Sequence, residues 1–189
     1  RPLLSSPAGQ ALDPEVRSRI SATWFLVQLT FESFDPAVYS SLDLLLNLAQ
    51  RLAELGDGVV ADPLASRYLL PHQVKLPQRA DQRVDAREHL SVTASGGQVR
   101  TQGFTKFRLP ELTMTDVTPD LESPASSLLL GVAQQVLLTG PLEVGMQIQT
   151  PAGALLITHS PLTTGPPLLE LLSSDKTSWE TLFRQISDS

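Results

Sequence analysis

The chain contains no cysteine. That excludes disulfide stapling, thiolate metal sites and a cysteine nucleophile, and it leaves the redox compartment open. A long apolar run is missing as well. The most apolar windows, Leu42 to Leu55 and Leu128 to Leu138, are interrupted by Asp43, Asn47, Gln50 and Gln134, and they fall short of the roughly 20 residues that a bilayer-spanning helix needs. No transmembrane helix is expected. The opening Arg1-Pro2-Leu3-Leu4-Ser5-Ser6-Pro7 lacks the apolar centre of a signal peptide, and the expected location is the cytoplasm. Excess positive charge is also lacking. Fourteen Lys and Arg stand against twenty Asp and Glu, a formal net charge of -6, which argues against nucleic acid as the main partner.

Several catalytic and ligand signatures are absent too. The three histidines, His72, His89 and His159, have neither His-x-His nor His-x-x-x-His spacing, so no metal site and no cofactor is expected. Thr158-His159-Ser160 sets a base beside hydroxyls without the Gly-x-Ser-x-Gly elbow of a nucleophilic serine. Gly96-Gly97 has no following helix to hold a phosphate, and no Walker-type loop occurs. The acids Asp57, Asp62, Glu111 and Asp116 sit at element ends, where carboxylates commonly form turns and caps.

What is present is enough chain for a real core: 189 residues, 41% hydrophobic. Asp13-Pro14-Glu15 predicts a capped helix through Arg19, after a flexible tail over residues 1–12. Trp24-Phe25-Leu26-Val27-Gln28-Leu29-Thr30-Phe31 predicts a strand buried on most of its surface. Phe34-Asp35-Pro36 and Glu122-Ser123-Pro124 each set a capping side chain and a proline before a Leu-rich stretch, the first stopped at Gly56 and the second at Gly140. In the first helix Val38, Leu42, Leu45, Leu46, Ala49, Leu52 and Ala53 form the inward stripe. In the second, Leu128, Leu129, Val132, Ala133, Val136 and Leu137 do so.

Strands are expected at 58–62, then as an irregular continuation over 67–72, and next at 89–94 turning at Gly96-Gly97 into Val99-Arg100-Thr101. Others follow over 103–115, 143–149 and 154–159, the last two joined at Pro151-Ala152-Gly153. Leu168 to Leu172 and Trp179 to Ile186 read as a last amphipathic helix in two pieces. The pattern implies an α+β two-layer sandwich, mostly antiparallel, with two long helices on one face, and suggests a doubled β-α-β-β unit. One domain over 13–165 and a helical extension over 166–189 complete the expected organisation.

Two segments resemble a known family. Ala49-Gln50-Arg51-Leu52-Ala53-Glu54-Leu55-Gly56-Asp57-Gly58-Val59-Val60-Ala61-Asp62-Pro63 is similar to the helix-turn-strand of bacterial α+β domains, among them the ZipA C-terminal domain family. Thr101-Gln102-Gly103-Phe104-Thr105-Lys106-Phe107-Arg108-Leu109-Pro110-Glu111-Leu112 looks like a "T-x-G-x-x-x-F-G-x-P-E-L" segment of uncharacterised bacterial domains, with Arg108 where glycine is usual. The resemblance implies a bacterial, non-enzymatic domain. ZipA-type domains follow a membrane anchor and bind a division protein on an apolar sheet face; no anchor is expected here, so that partner is not carried over.

The leading expectation is therefore an interaction module that binds a protein partner or a second copy of itself, its contacts made by Arg100, Lys106, Arg108, Trp179 and Phe183. Those cations, with Arg79, Arg83 and Arg87, would make a basic patch for an acidic peptide or phosphate group, although Asp81, Asp85 and Glu88 neutralise half of it and an ordinary solvated face is the more usual meaning of such a run. The alternative is a small-ligand binder or enzyme using Asp62, Arg67, His72 and His159 in a pocket at the strand ends.

Overall fold

The computed structural model describes residues 2–31, 40–75, 84–150, 153–160, 168–173 and 178–187. The fold is α+β. It divides into two compact units, Arg1–Arg83 and Val84–Ser189. The two long helices fall in different units.

The first unit begins with two helical turns, α1 (Pro2–Ser5) and α2 (Pro7–Gln10), where a flexible tail was expected. Ser6 joins them: its hydroxyl donates to the Leu3 carbonyl at 2.6 Å and accepts from the Gly9 N–H at 3.1 Å. A Cβ at Gly9 would fall 1.9 Å from the Leu3 oxygen, so only glycine fits. Helix α3 (Pro14–Ala22) starts as Asp13-Pro14 predicts, with the Asp13 carboxylate accepting from the Glu15 N–H at 2.8 Å. Arg19 then ties α3 to the chain ahead, pairing with Glu15 at 2.9 Å and Asp57 at 2.7 Å.

The expected strand at Trp24–Phe31 is neither paired nor buried. β-forming residues make a strand only beside a neighbour. Among the described residues the sheet of this unit is a single short hairpin, β1 (Val60–Asp62) with β2 (Arg67–Leu69).

Helix α4 (Ser40–Leu55) precedes that hairpin; its expected start at Phe34-Asp35-Pro36 lies outside the described residues. The helix stops with the Gly56 N–H on Leu52 and the Gly58 N–H on Ala53. The left-handed residue is Asp57 (φ 48°), one place after the expected Gly56. Gln50 donates to the Pro71 carbonyl at 2.9 Å, anchoring α4 on a 3-10 turn at Pro71–Gln73. Between them lies a small core of Ala53, Val60 and Val74, flanked by Leu46, Ala49 and Leu69.

The second unit is built on a six-stranded sheet. A helical turn, α5 (Ala86–His89), leads into β3 (Ser91–Ser95), which turns at Gly96-Gly97 into β4 (Gln98–Gln102). Both glycines have positive φ, 60° and 78°, as a two-residue hairpin turn requires. After β5 (Glu111–Met114) comes α6 (Glu122–Thr139). Its Ala125, Leu129, Val132, Ala133, Val136 and Leu137 are buried against β3, β4 and β5, close to the predicted stripe. The expected Ser123 cap is not made, and a 3-10 turn from Pro119 leads the chain into the helix. Gly140 ends it at φ 105°. The hairpin β6 (Gln147–Thr150) and β7 (Gly153–His159) follows, and then β8 (Leu168–Ser173) and α7 (Trp179–Ser187).

Strand β8 corrects the expected helix at Leu168–Leu172. Leu168, Leu169, Leu171 and Leu172 sit at helix-like spacing, but an apolar run this short fits a doubly covered strand equally well. The sheet order is β3-β4-β5-β8-β7-β6, so β8 lies inside it, parallel to β5 and antiparallel to β7. Among the described residues the leading strand expected for the first β-α-β-β copy, Trp24–Phe31, is unpaired. Among the described residues no helix is long and apolar enough to cross a membrane.

The β4–β5 ladder has only two register pairs, Val99 with Met114 and Arg100 with Thr113. Beyond it side chains replace the backbone. The Thr101 hydroxyl donates to Glu111 Oε2 at 2.7 Å and accepts from the Leu112 N–H at 2.8 Å, while Glu111 Oε1 accepts from the Gly103 N–H at 2.9 Å. Removing the carboxylate leaves a buried N–H unpaired. Glu111→Ala is expected to cost about 2 kcal/mol in urea unfolding. Thr101→Val should cost less, and the double variant should fall short of additivity; strict additivity would show that the two side chains act separately.

Candidate functional site

Helix α4 carries two apolar stripes. Leu42, Leu45, Leu46 and Ala49 are half-buried and Ala53 is buried, as the inward spacing predicts. Leu44, Leu48, Leu52 and Leu55, at steps of four, four and three, form a second stripe on the exposed side. Leu52, expected inside, belongs to this outer row. Leu55 is 86% exposed.

The unpaired segment Trp24–Phe31 adjoins the end of this row. The Phe25 ring lies 3.8 Å from the point where a Cβ on Gly56 would sit. Trp24 is 97% exposed, and Phe25, Leu26, Val27 and Phe31 are also exposed. Large apolar side chains gathered this way on one compact unit make this the candidate site, whereas single exposed leucines need no explanation. Alternating polar and charged residues, Asp43, Asn47, Arg51 and Glu54, run beside the leucines. Arg51 and Glu54 pair at 2.8 Å.

The contact residues expected in the second unit are placed otherwise. Trp179 and Phe183 are buried, their rings 6.2 Å apart, and the indole N–H donates to the Thr115 carbonyl at 2.7 Å. They hold α7 in place within this unit. Lys106 turns inward and donates to the His89 carbonyl. Arg108 is exposed at the end of a 3-10 turn over Phe104–Phe107. Arg87 is exposed on α5, and Arg79 and Arg83 lie outside the described residues.

Arg100 points into a polar row that the sequence pattern did not reveal. Register partners share a sheet face, and Thr93, Arg100, Thr113, Glu170 and Thr158 are partners in turn across β3, β4, β5, β8 and β7. Glu170 is buried and accepts from the Thr115 hydroxyl. Arg100 Nε and, two residues along, Gln102 Oε1 are buried without a hydrogen-bond partner among the described residues. The legible signal was Glu170 itself, one acid inside an otherwise apolar Leu168–Leu172 run.

Of the residues in the ligand alternative, Asp62 and Arg67 are register partners at the end of the β1–β2 hairpin. Asp62 Oδ1 accepts from the Leu64 and Ala65 N–H groups, both at 3.2 Å, which is the work of a turn former. His72 is exposed on its 3-10 turn in the same unit, and His159 is exposed at the end of β7 in the other. Among the described residues no group of three or more His, Cys, Asp or Glu side chains could hold a metal ion.

The chain matches no protein-family model, no curated protein and no solved structure.

Two substitutions test the geometry. Arg108 has a left-handed backbone (φ 56°, ψ 30°) at the place where the family-like segment has glycine. Arg108→Gly relieves that conformation and is expected to raise stability by about 1 kcal/mol in denaturant unfolding. Burial pushes the Asp43 carboxyl above its ordinary range. The folded state therefore favours the protonated form, and this contribution is complete at low pH and lost as pH rises through the folded pKa. Asp43→Asn should melt above the wild type at neutral pH, with the difference closing as pH falls into the carboxylate range. A gap that widened on acidification would contradict burial as the cause.

Proposed function

We propose that the chain is a non-enzymatic protein-interaction module whose docking surface lies in the first unit, on the outer leucine stripe of α4 and the adjoining Trp24–Phe31 segment. One observation carries this reading: large apolar side chains that a folded unit would bury stand exposed on neighbouring elements. Each such side chain left in water forgoes roughly 1.5–3 kcal/mol of burial. A protein partner recovers that energy on docking, with aromatic and leucine anchors at the centre of the interface.

The second unit supports the reading from the other side. Its sheet and α6 are well packed, which suits a rigid scaffold. Docking of an acidic peptide on a basic hairpin finds less support, because Lys106 is engaged with the His89 carbonyl.

Native mass spectrometry of the full chain, isolated gently from its own cells, tests the proposal. The expected spectrum shows the protomer bound to another polypeptide or to itself. Leu48→Glu with Leu52→Glu should give the bare protomer, while unfolding shifts by no more than about 0.5 kcal/mol because both residues face solvent. A wild-type protomer that travels alone or with a small-molecule mass would contradict the proposal.

A further inference from the structure

We infer that Trp24–Phe31 is an intermolecular strand, which pairs antiparallel with the same segment of a second copy of this chain across a twofold axis at Gln28. This rests on the docking reading above and identifies the partner.

The backbone supplies the first reason. Among the described residues none of the N–H or C=O groups of Trp24–Phe31 is hydrogen-bonded, although the residues are strong strand formers. Open to water on both edges, these groups are free to pair with a second strand.

The side chains supply the register. Phe25, Val27, Leu29 and Phe31 alternate on one face of a strand, with Trp24, Leu26, Gln28 and Thr30 on the other. Exposure separates the same two sets: Phe25 is 69% and Val27 52% exposed against 85% for Leu26. The odd-numbered face therefore turns towards its own unit, where the Phe25 ring reaches Gly56. In an antiparallel self-pair, both copies keep that face on one side only if the axis passes through a residue. An axis at Gln28 sets Phe25 opposite Phe31 and Val27 opposite Leu29, and the whole apolar set overlaps.

Charge favours a second copy over a foreign strand. No charged residue occurs from Ile20 to Phe31, so self-pairing opposes no like charges. The lysines, prolines and inward charges with which edge strands normally repel one another are also missing. A two-stranded ribbon alone is marginal in water. Here the α4 leucines beside Phe25 supply a layer for it to pack on, and the twofold closes the assembly at two copies.

Because the chain has no cysteine, Gln28→Cys places a single thiol opposite its own copy. On mild oxidation of the full chain, disulfide-linked dimer should accumulate about tenfold faster than for Thr118→Cys, an exposed site in the other unit, because pairing raises the local thiol concentration. Gln28→Asp, which sets like charges opposite each other at the axis, should sediment as the protomer with its unfolding transition unchanged, because Gln28 is exposed. Equal cross-linking rates for the two cysteines, or a wild-type chain that sediments as the protomer up to about 100 μM, would overturn the inference. The docking proposal would still stand or fall on the masses of the native complexes, since a monomer bound to a different polypeptide refutes self-pairing alone.

Discussion

Among the described residues of the first unit, large apolar side chains stand exposed beside only a few buried ones. The buried apolar side chains described there are Val16, Ala53, Val60, Ala65, Leu70 and Val74, with a few flanking ones, and among the described residues the sheet is a hairpin of three-residue strands. Folding stability is a small difference between burial and ordering entropy, and a core of this size supplies little of the first term. Side chains as large as Trp24 and Leu55 consequently remain in water. Everything proposed about function follows from that imbalance.

The second unit has the opposite character. Strand β8 runs through the sheet with both faces covered, joining β5 to β7, and α6 seals one side of β3, β4 and β5 with an unbroken small-and-leucine stripe. Where hydrogen-bonded ladder runs out, side chains complete it, as Thr101 and Glu111 do beyond the short β4–β5 pairing. Gln134 acts similarly between helices, accepting from the Ala86 N–H at 2.7 Å and donating to the Val84 carbonyl at 2.9 Å.

Local signals were legible in the sequence wherever the chemistry is local. The Asp13-Pro14 cap, the Gly96-Gly97 hairpin, the α6 stripe and the glycine stop at Gly140 each depend on residues within one turn of one another. Features set by tertiary neighbours were not legible. Trp24–Phe31 has the composition of a central strand and no strand beside it. Leu168–Leu172 has helix-compatible spacing and lies in a sheet, because five residues cannot tell the two periods apart. The outer leucines of α4 were hidden by their own abundance: with leucine on nearly every face, the inward stripe could be traced but the outward one could not. For the candidate site, composition led to the expectation of an interaction module with Trp179 and Phe183 among its contacts, and both are buried. Trp24 and Phe25, assigned to the core, are the exposed pair.

Hydrogen–deuterium exchange of the full chain as a function of its concentration tests the central claim most directly. In dilute solution the amides of Trp24–Phe31 should exchange at nearly unprotected rates, while those of β8 exchange slowly. Raising the concentration should bring protection to Trp24–Phe31 and to the α4 peptides carrying Leu48 and Leu52, with β8 unchanged. Strong protection of Trp24–Phe31 at the lowest concentration, independent of dilution, would mean that the segment is already buried in a single chain, and the docking surface would not exist.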